Sequence, residues 1–165
     1  MLKNVAICDG SCLKNPGPGG WAFAVINDVV EFRYGSSDSS TNNIMELTAI
    51  ITALKECSAK VLYTDSSYVV NGINKWIHGW KKSGWINSEK KVVKNLELWK
   101  DLDILNGQKK PEIRWIRGHA TTSGVTDKHE RLLINVQNMV DEFAREAAIN
   151  KSNGSRSIDV SKFGV

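Results

Sequence analysis

The chain opens on a short unbroken apolar run, Val5-Ala6-Ile7-Cys8, that stops at Asp9-Gly10. Apolar residues without alternation make a strand buried on both faces, and the run leaves a carboxylate at the strand's carboxyl end, where open α/β sheets place their chemistry. A loop follows, Leu13-Lys14-Asn15-Pro16-Gly17-Pro18-Gly19-Gly20, stiff and open to close backbone approach. Residues 21–26 and 29–34 are β-favouring runs joined by Asn27-Asp28, a tight-turn pair, so the first three strands are expected to form an antiparallel meander. Residues 35–40 read as polar loop. From Thr41 the period lengthens: Ile44, Leu47, Ile51, Leu54 and Cys57 recur at three and four, the mark of a helix with one apolar face.

Val61-Leu62-Tyr63-Thr64 reads as another buried strand ending at Asp65, and Ser66-Ser67-Tyr68-Val69-Val70 begins the next helix. A helix on each side of that strand implies a parallel crossover, which sets Asp65 beside Asp9 on one sheet edge. A helix over residues 95–105 carries Leu98, Leu102 and Leu105 on one side and is expected to end at Asn106-Gly107. Residues 111–116 form a further strand, followed by Arg117-Gly118-His119. The last helix reaches Ile149; Leu132, Val136, Met139, Val140, Phe143 and Ala147 carry its period back to Asp127, which pairs with Glu130 as a capping box. The helix is therefore expected to begin near Asp127, the alternative being a loop that ends near Asn135. The Ser/Gly/Lys-rich residues 151–165 are expected to lack fixed structure.

A chain of 165 residues suits one domain, here residues 1–150, with the apolar (41%) and charged (24%) fractions of a globule. The net charge of +4 points to a polyanionic partner. Its basic character is concentrated in residues 75–94, which hold six lysines, one acid and the tryptophans Trp76, Trp80 and Trp85. The three cysteines, Cys8, Cys12 and Cys57, form no CxxC pair and leave an odd one over, which fits a reducing compartment. No apolar run approaches the ~20 residues that span a bilayer, and Met1-Leu2-Lys3-Asn4 runs straight into the first strand, so a monomer in the cytoplasm is expected.

Four carboxylates stand at comparable junctions: Asp9 and Asp65 end strands, Glu46 lies early in the first long helix, and Asp141 lies in the last. Each has a second, structural explanation. Asp9-Gly10 is a hairpin pair, Glu46 follows Asn43 at capping-box spacing, Asp65 precedes a helix as an N-cap does, and Asp141 fits a solvated helix face. In combination they are more specific, because acids delivered to one place repel one another and need a cation. Hard divalent ions ask for carboxylate oxygens from several elements, and a pair held ~4 Å apart can activate water and neutralise a leaving oxygen. His119 after a strand offers an imidazole, a side chain suited to proton transfer.

Five separated motifs resemble bacterial-type ribonuclease HI, in order: Asp9-Gly10-Ser11-Cys12 with Asn15-Pro16-Gly17-Pro18-Gly19-Gly20, Thr41-Asn42-Asn43-Ile44-Met45-Glu46-Leu47, Thr64-Asp65-Ser66, Trp76-Ile77-His78-Gly79-Trp80-Lys81-Lys82, and Trp115-Ile116-Arg117-Gly118-His119-Ala120. The likeness covers about residues 1–120 and resumes at Asp141-Glu142-Phe143-Ala144-Arg145. It implies an RNase H-like α/β fold, a five-stranded mixed sheet with helices on both faces. It further implies two-metal, Mg2+-dependent cleavage of the RNA strand of RNA/DNA hybrids, with 5′-phosphate and 3′-hydroxyl ends and Mn2+ as a substitute ion. On the matching positions, Asp9, Glu46, Asp65 and Asp141 would hold metal, and His119 would help proton transfer or product release. Asn15, Asn42, Asn43 and Ser67 would reach the RNA, Thr41 would join a phosphate pocket, and Trp76, Lys81 and Lys82 would meet the DNA strand from a basic protrusion. Three departures stand out: Ile44 where relatives have arginine, Ser67 where they have glutamine, and a long interval over residues 121–139. That interval makes Asp127, Glu130, Glu142 and Glu146 competitors of Asp141.

Overall fold

The computed structural model describes residues 2–164. Three strands, β1 (Val5–Cys12), β2 (Gly17–Ile26) and β3 (Val29–Ser40), form the expected antiparallel meander. Helix α1 (Asn42–Glu56) then leads to β4 (Val61–Thr64), which pairs with β1 in parallel, Cys8 opposite Thr64. A broken helical passage, α2 (Ser67–Asn71), a π-turn (Gly72–Trp76) and α3 (Ile77–Lys82), carries the chain away from the sheet. Helix α4 (Leu96–Lys109), strand β5 (Glu112–Trp115) and the long helix α5 (Lys128–Asn150) follow. The parallel register of β1, β4 and β5 brings the ends of three strands to one edge, so Asp9 and Asp65 emerge side by side.

Side chains alternate across the sheet. Ala6, Cys8, Phe23, Val25, Leu62 and Ile113 meet α1 and α4 on one face, where Trp99 and Leu102 are fully buried. Ile7, Ala22, Ala24, Ile26, Val30 and Phe32 meet α5 on the other through Leu132, Val136, Val140 and Ala144. No helix among the described residues is long and apolar enough to cross a membrane.

Several expectations are corrected. The sheet has six strands, not five, in the order β5-β4-β1-β2-β3-β6. The sixth, β6 (Gly154–Asp159), comes from the tail expected to lack structure, and a short 3-10 helix (Val160–Phe163) follows it. Composition misleads here because a ladder is made by the backbone: Val29 to Tyr34 pair with Asp159 to Gly154, and only Ile158, Val160 and Phe163 are needed to reach the α5 core. The exposed Ser155, Arg156 and Ser157 are what an edge strand carries. Residues 35–40 are not loop but the far end of β3, paired with β2 out to Gly17 opposite Ser40. Helix α4 passes through Asn106-Gly107 and stops at Lys110, whose backbone is left-handed (φ 48°) and whose N–H bonds Asn106 O. The extra turn gains a tie, since Lys109 Nζ donates to the Cys57 carbonyl at 3.1 Å beyond the end of α1. Helix α5 begins where its period predicts, with the Asp127 side chain accepting from His129 N.

Candidate active site

Asp9 is carried out on β1 and remains only 2% exposed. Its Oδ1 accepts from the Gly10 amide at 2.9 Å, whereas Oδ2 is buried without a hydrogen-bond partner. Beside it comes Glu46 from α1. That helix is capped by Thr41, whose hydroxyl accepts from Ile44 N at 3.2 Å, so the capping-box role offered for Glu46 falls away and its carboxylate is free to turn inward. Gly10 lets this happen: a Cβ there would run into the backbone of Met45 and Glu46. Thr64 Oγ1, buried at the end of β4, lies 3.5 Å from Glu46 Oε2 and accepts from Ser66 N at 3.1 Å. Asp65 comes next; Ser66, not Asp65, caps α2, its hydroxyl accepting from Val69 N at 3.2 Å.

One carboxylate oxygen from each of Asp9, Glu46 and Asp65 lies within 4.8 Å of the others. Crowding and burial together resist charge. Burial first, then the charges of Glu46 and Asp65, push the Asp9 carboxyl far above its ordinary value. Burial raises Glu46 to about 8, although the Asp9 carboxyl beside it works the other way. Asp65 is raised by burial as well and by the charge of Asp141, with Asp9 and His119 opposing. Acids held together, one buried and two half-buried, with a spare oxygen on Asp9, have the oxygen donors and the negative charge that hard divalent ions satisfy.

Asp141 reaches the same place from α5. It is among the groups that raise the Asp9 carboxyl, and its Oδ2 lies 3.6 Å from Nδ1 of His119. Its competitors Asp127, Glu130, Glu142 and Glu146 are all exposed. Gly118 lies against Asp65, where a Cβ would sit 2.5 Å from Oδ2. The indole N–H of Trp115 donates to the Asp65 carbonyl at 3.1 Å.

Asn15, Thr41, Asn42 and Asn43 gather in one polar cleft of about 370 Å³, joined by Pro16, Lys94 and Asn95. Asn15 Oδ1 accepts from Asn42 N at 3.0 Å, tying the Pro/Gly loop to the start of α1. Ser67, Trp76, Lys81 and Lys82 are not in this cleft but along α2, the π-turn and α3. Trp76 is 41% exposed and leans on Tyr68 and Trp80. Lys81 is paired with Asp103 at 3.3 Å. Trp80 and Trp85 pack against the core, and Trp99 lies within it, its indole N–H donating to Tyr68 Oη at 2.9 Å. Sequence reasoning gives no role to Thr64, Asn95 or Trp115. Thr64 and Trp115 stand inside two of the motifs, and Thr64 is also a hydroxyl at the last position of an otherwise buried strand; Asn95 leaves no signal.

A family model described as RNase H matches residues 3–149. The chain belongs to the RNase H family. The Ribonuclease H of Mesorhizobium japonicum is 46% identical over 160 residues, covering 94% of this chain and 84% of that protein. The Ribonuclease H of Citrobacter koseri is 46% identical over 155 residues, covering 91% and 92%. Among solved structures, LC9-RNase H1, a type 1 RNase H with the type 2 active-site motif, superposes with a TM-score of 0.75 at 24% identity, over 100% of this chain and 82% of that one. LC11-RNase H1, solved in complex with RNA/DNA hybrid, superposes with a TM-score of 0.59 at 16% identity, over 88% and 96%. The RNase H chain is thus an enzyme, a nuclease of the hydrolase class, and its acidic cluster sits at the strand ends of the RNase H fold.

Proposed function

We propose that the chain is an endonuclease that hydrolyses the RNA strand of RNA/DNA hybrids with two Mg2+ ions, leaving 5′-phosphate and 3′-hydroxyl ends. The observation that carries this reading is the convergence of Asp9, Glu46 and Asp65, with Asp9 Oδ2 buried and unpartnered. Ions seated there would supply an activated water and neutralise the departing 3′-oxygen. Asp9, buried on a strand inside the sheet, would hold the ions together with Glu46, Asp65 and Asp141. Thr64 holds Glu46 from behind. His119, exposed and beside Asp141, is suited to pass a proton between the reacting oxygens and solvent.

Selection of a hybrid needs two readings. An RNA strand is told apart by its 2′-hydroxyls, reached by short polar groups across a wide minor groove. Asn15, Asn42 and Asn43, with Ser67 close to Asp65 in sequence, are assigned this task, and Thr41 with Lys94 in the same cleft is assigned a phosphate. The DNA strand calls for phosphate and sugar contacts. These fall to Trp76, Lys81 and Lys82, of which Lys81 is paired with Asp103 and Lys82 has no acidic partner among the described residues. We take the protein to act as a cytoplasmic monomer; its three cysteines are free.

The test is a labelled RNA/DNA hybrid beside duplex DNA, duplex RNA and single-stranded RNA, each with Mg2+. Cleavage confined to the RNA of the hybrid is expected, with Asp9→Asn folded and inactive. Cleavage of duplex DNA, tight binding without cleavage, or an active Asp9→Asn protein would each overturn the reading.

A further inference from the structure

The segment that presents His119 is pinned at both ends. Upstream, Ile116 N donates to Thr64 O at 2.9 Å and the Trp115 indole donates to Asp65 O at 3.1 Å. Downstream, the contacts come from α5. Asn138 Nδ2 donates to the Ala120 carbonyl at 2.9 Å, and Arg131 Nη1 donates to the carbonyls of Val125 at 2.9 Å and Thr122 at 3.2 Å. Between these anchors the imidazole has little else to hold it, for the His119 side chain is 78% exposed. The His119 backbone is left-handed (φ 54°), a conformation that a non-glycine residue keeps only where its surroundings impose it.

Asn138 and Asp141 are three residues apart on one helix and so share a face. The same rigid body therefore fixes the carbonyl next to His119 and the carboxylate that His119 approaches. We propose that Asn138, supported by Arg131, is a positioning residue: α5 clamps the histidine loop and thereby sets the His119–Asp141 separation needed for turnover. The hydrogen bonds of both side chains run to loop carbonyls, so the effect is exerted through the loop backbone. The clamp belongs to the N-terminal turns of α5, within the long interval that sets this chain apart, and gives those turns a task beyond covering the sheet. The inference rests on the hydrolytic reading above.

The test compares Asn138→Ala and the near-isosteric Asn138→Leu with the parent, each alone and combined with His119→Ala. Loss of one loop anchor is expected to lower kcat about tenfold with KM unchanged, because misplacing a group at the chemistry slows the step without weakening binding. In the His119→Ala background the same change is expected to cost nothing further. Nitrogen-15 relaxation of the free protein should show the amides of residues 118–122 becoming more mobile in the Asn138 variants. Unchanged kcat, an equal loss in both backgrounds, or unaltered amide motion would overturn the clamp. Should the Asn138 variants fail to fold, Arg131→Ala carries the same comparison. A parent protein that cuts no hybrid would sink the hydrolytic reading, while the relaxation experiment would still decide whether α5 holds the loop.

Discussion

Asp9 Oδ2 illustrates how a site declares itself at the level of a single atom: a buried carboxylate oxygen without a donor is destabilising, and it persists beside two further acids. The consequence is measurable. The ordinary values of Asp9 and Glu46 are 3.8 and 4.5, and in the folded protein Glu46 is raised to about 8 and Asp9 higher still. Between about pH 4 and 8 the unfolded chain therefore binds fewer protons than the folded one, so stability without divalent ions falls as pH rises, by about 1.4 kcal/mol per pH unit for each extra proton. Calorimetric melts in chelator should show that decline. Mg2+ should flatten it, and its own affinity should climb with pH because it must displace those protons. At this scale Asp9, Glu46 and Asp65 were legible, since each sits at a junction that the apolar pattern marks. Thr64 and Trp115 were not, because their parts depend on which strand lies next to which.

The elements bring the acids together through close approach. Helix α1 can lie against β1 because Gly10 has no side chain where the backbone of Met45 and Glu46 passes. Gly10→Ala is expected to destabilise the fold by about 1–3 kcal/mol through overpacking and to weaken Mg2+ binding by shifting Glu46. Denaturant titration and isothermal calorimetry measure the two effects. The period of α1 and α5 could be read directly, down to the start of α5 at Asp127. The end of α4 could not, since Asn106-Gly107 is a stop signal that the tie from Lys109 to Cys57 overrides. Nor could β6, whose residues are polar because only their backbone is called upon. Removing residues 151–165 should uncover Phe32, Tyr34 and Phe143 beneath Ile158, Val160 and Phe163, with a loss on the order of 3–5 kcal/mol in an equilibrium melt.

Across the whole molecule, charge is unevenly spread: six lysines fall within residues 75–94 in a chain whose net charge is +4. Mutating Lys82, Lys90 and Lys91 to alanine should weaken hybrid binding and reduce the slope of log K against log salt by about 0.9 for each phosphate that is no longer neutralised. Lys81→Ala should matter less, as Asp103 already engages it. Binding isotherms at several ionic strengths separate the two. The basic segment and its aromatic content were plain in the sequence, but its path was not, because the π-turn of Gly72–Trp76 leaves no mark in residue type. The tryptophans are distributed unevenly too: Trp99 is sealed in the core, while Trp76 and Trp115 are 41% and 53% exposed. Trp115 is bonded through its indole to the Asp65 carbonyl, so the enzyme carries its own optical gauge: emission from that ring would register an ion arriving among the acids, with Trp99 as an internal standard that stays dark to the event.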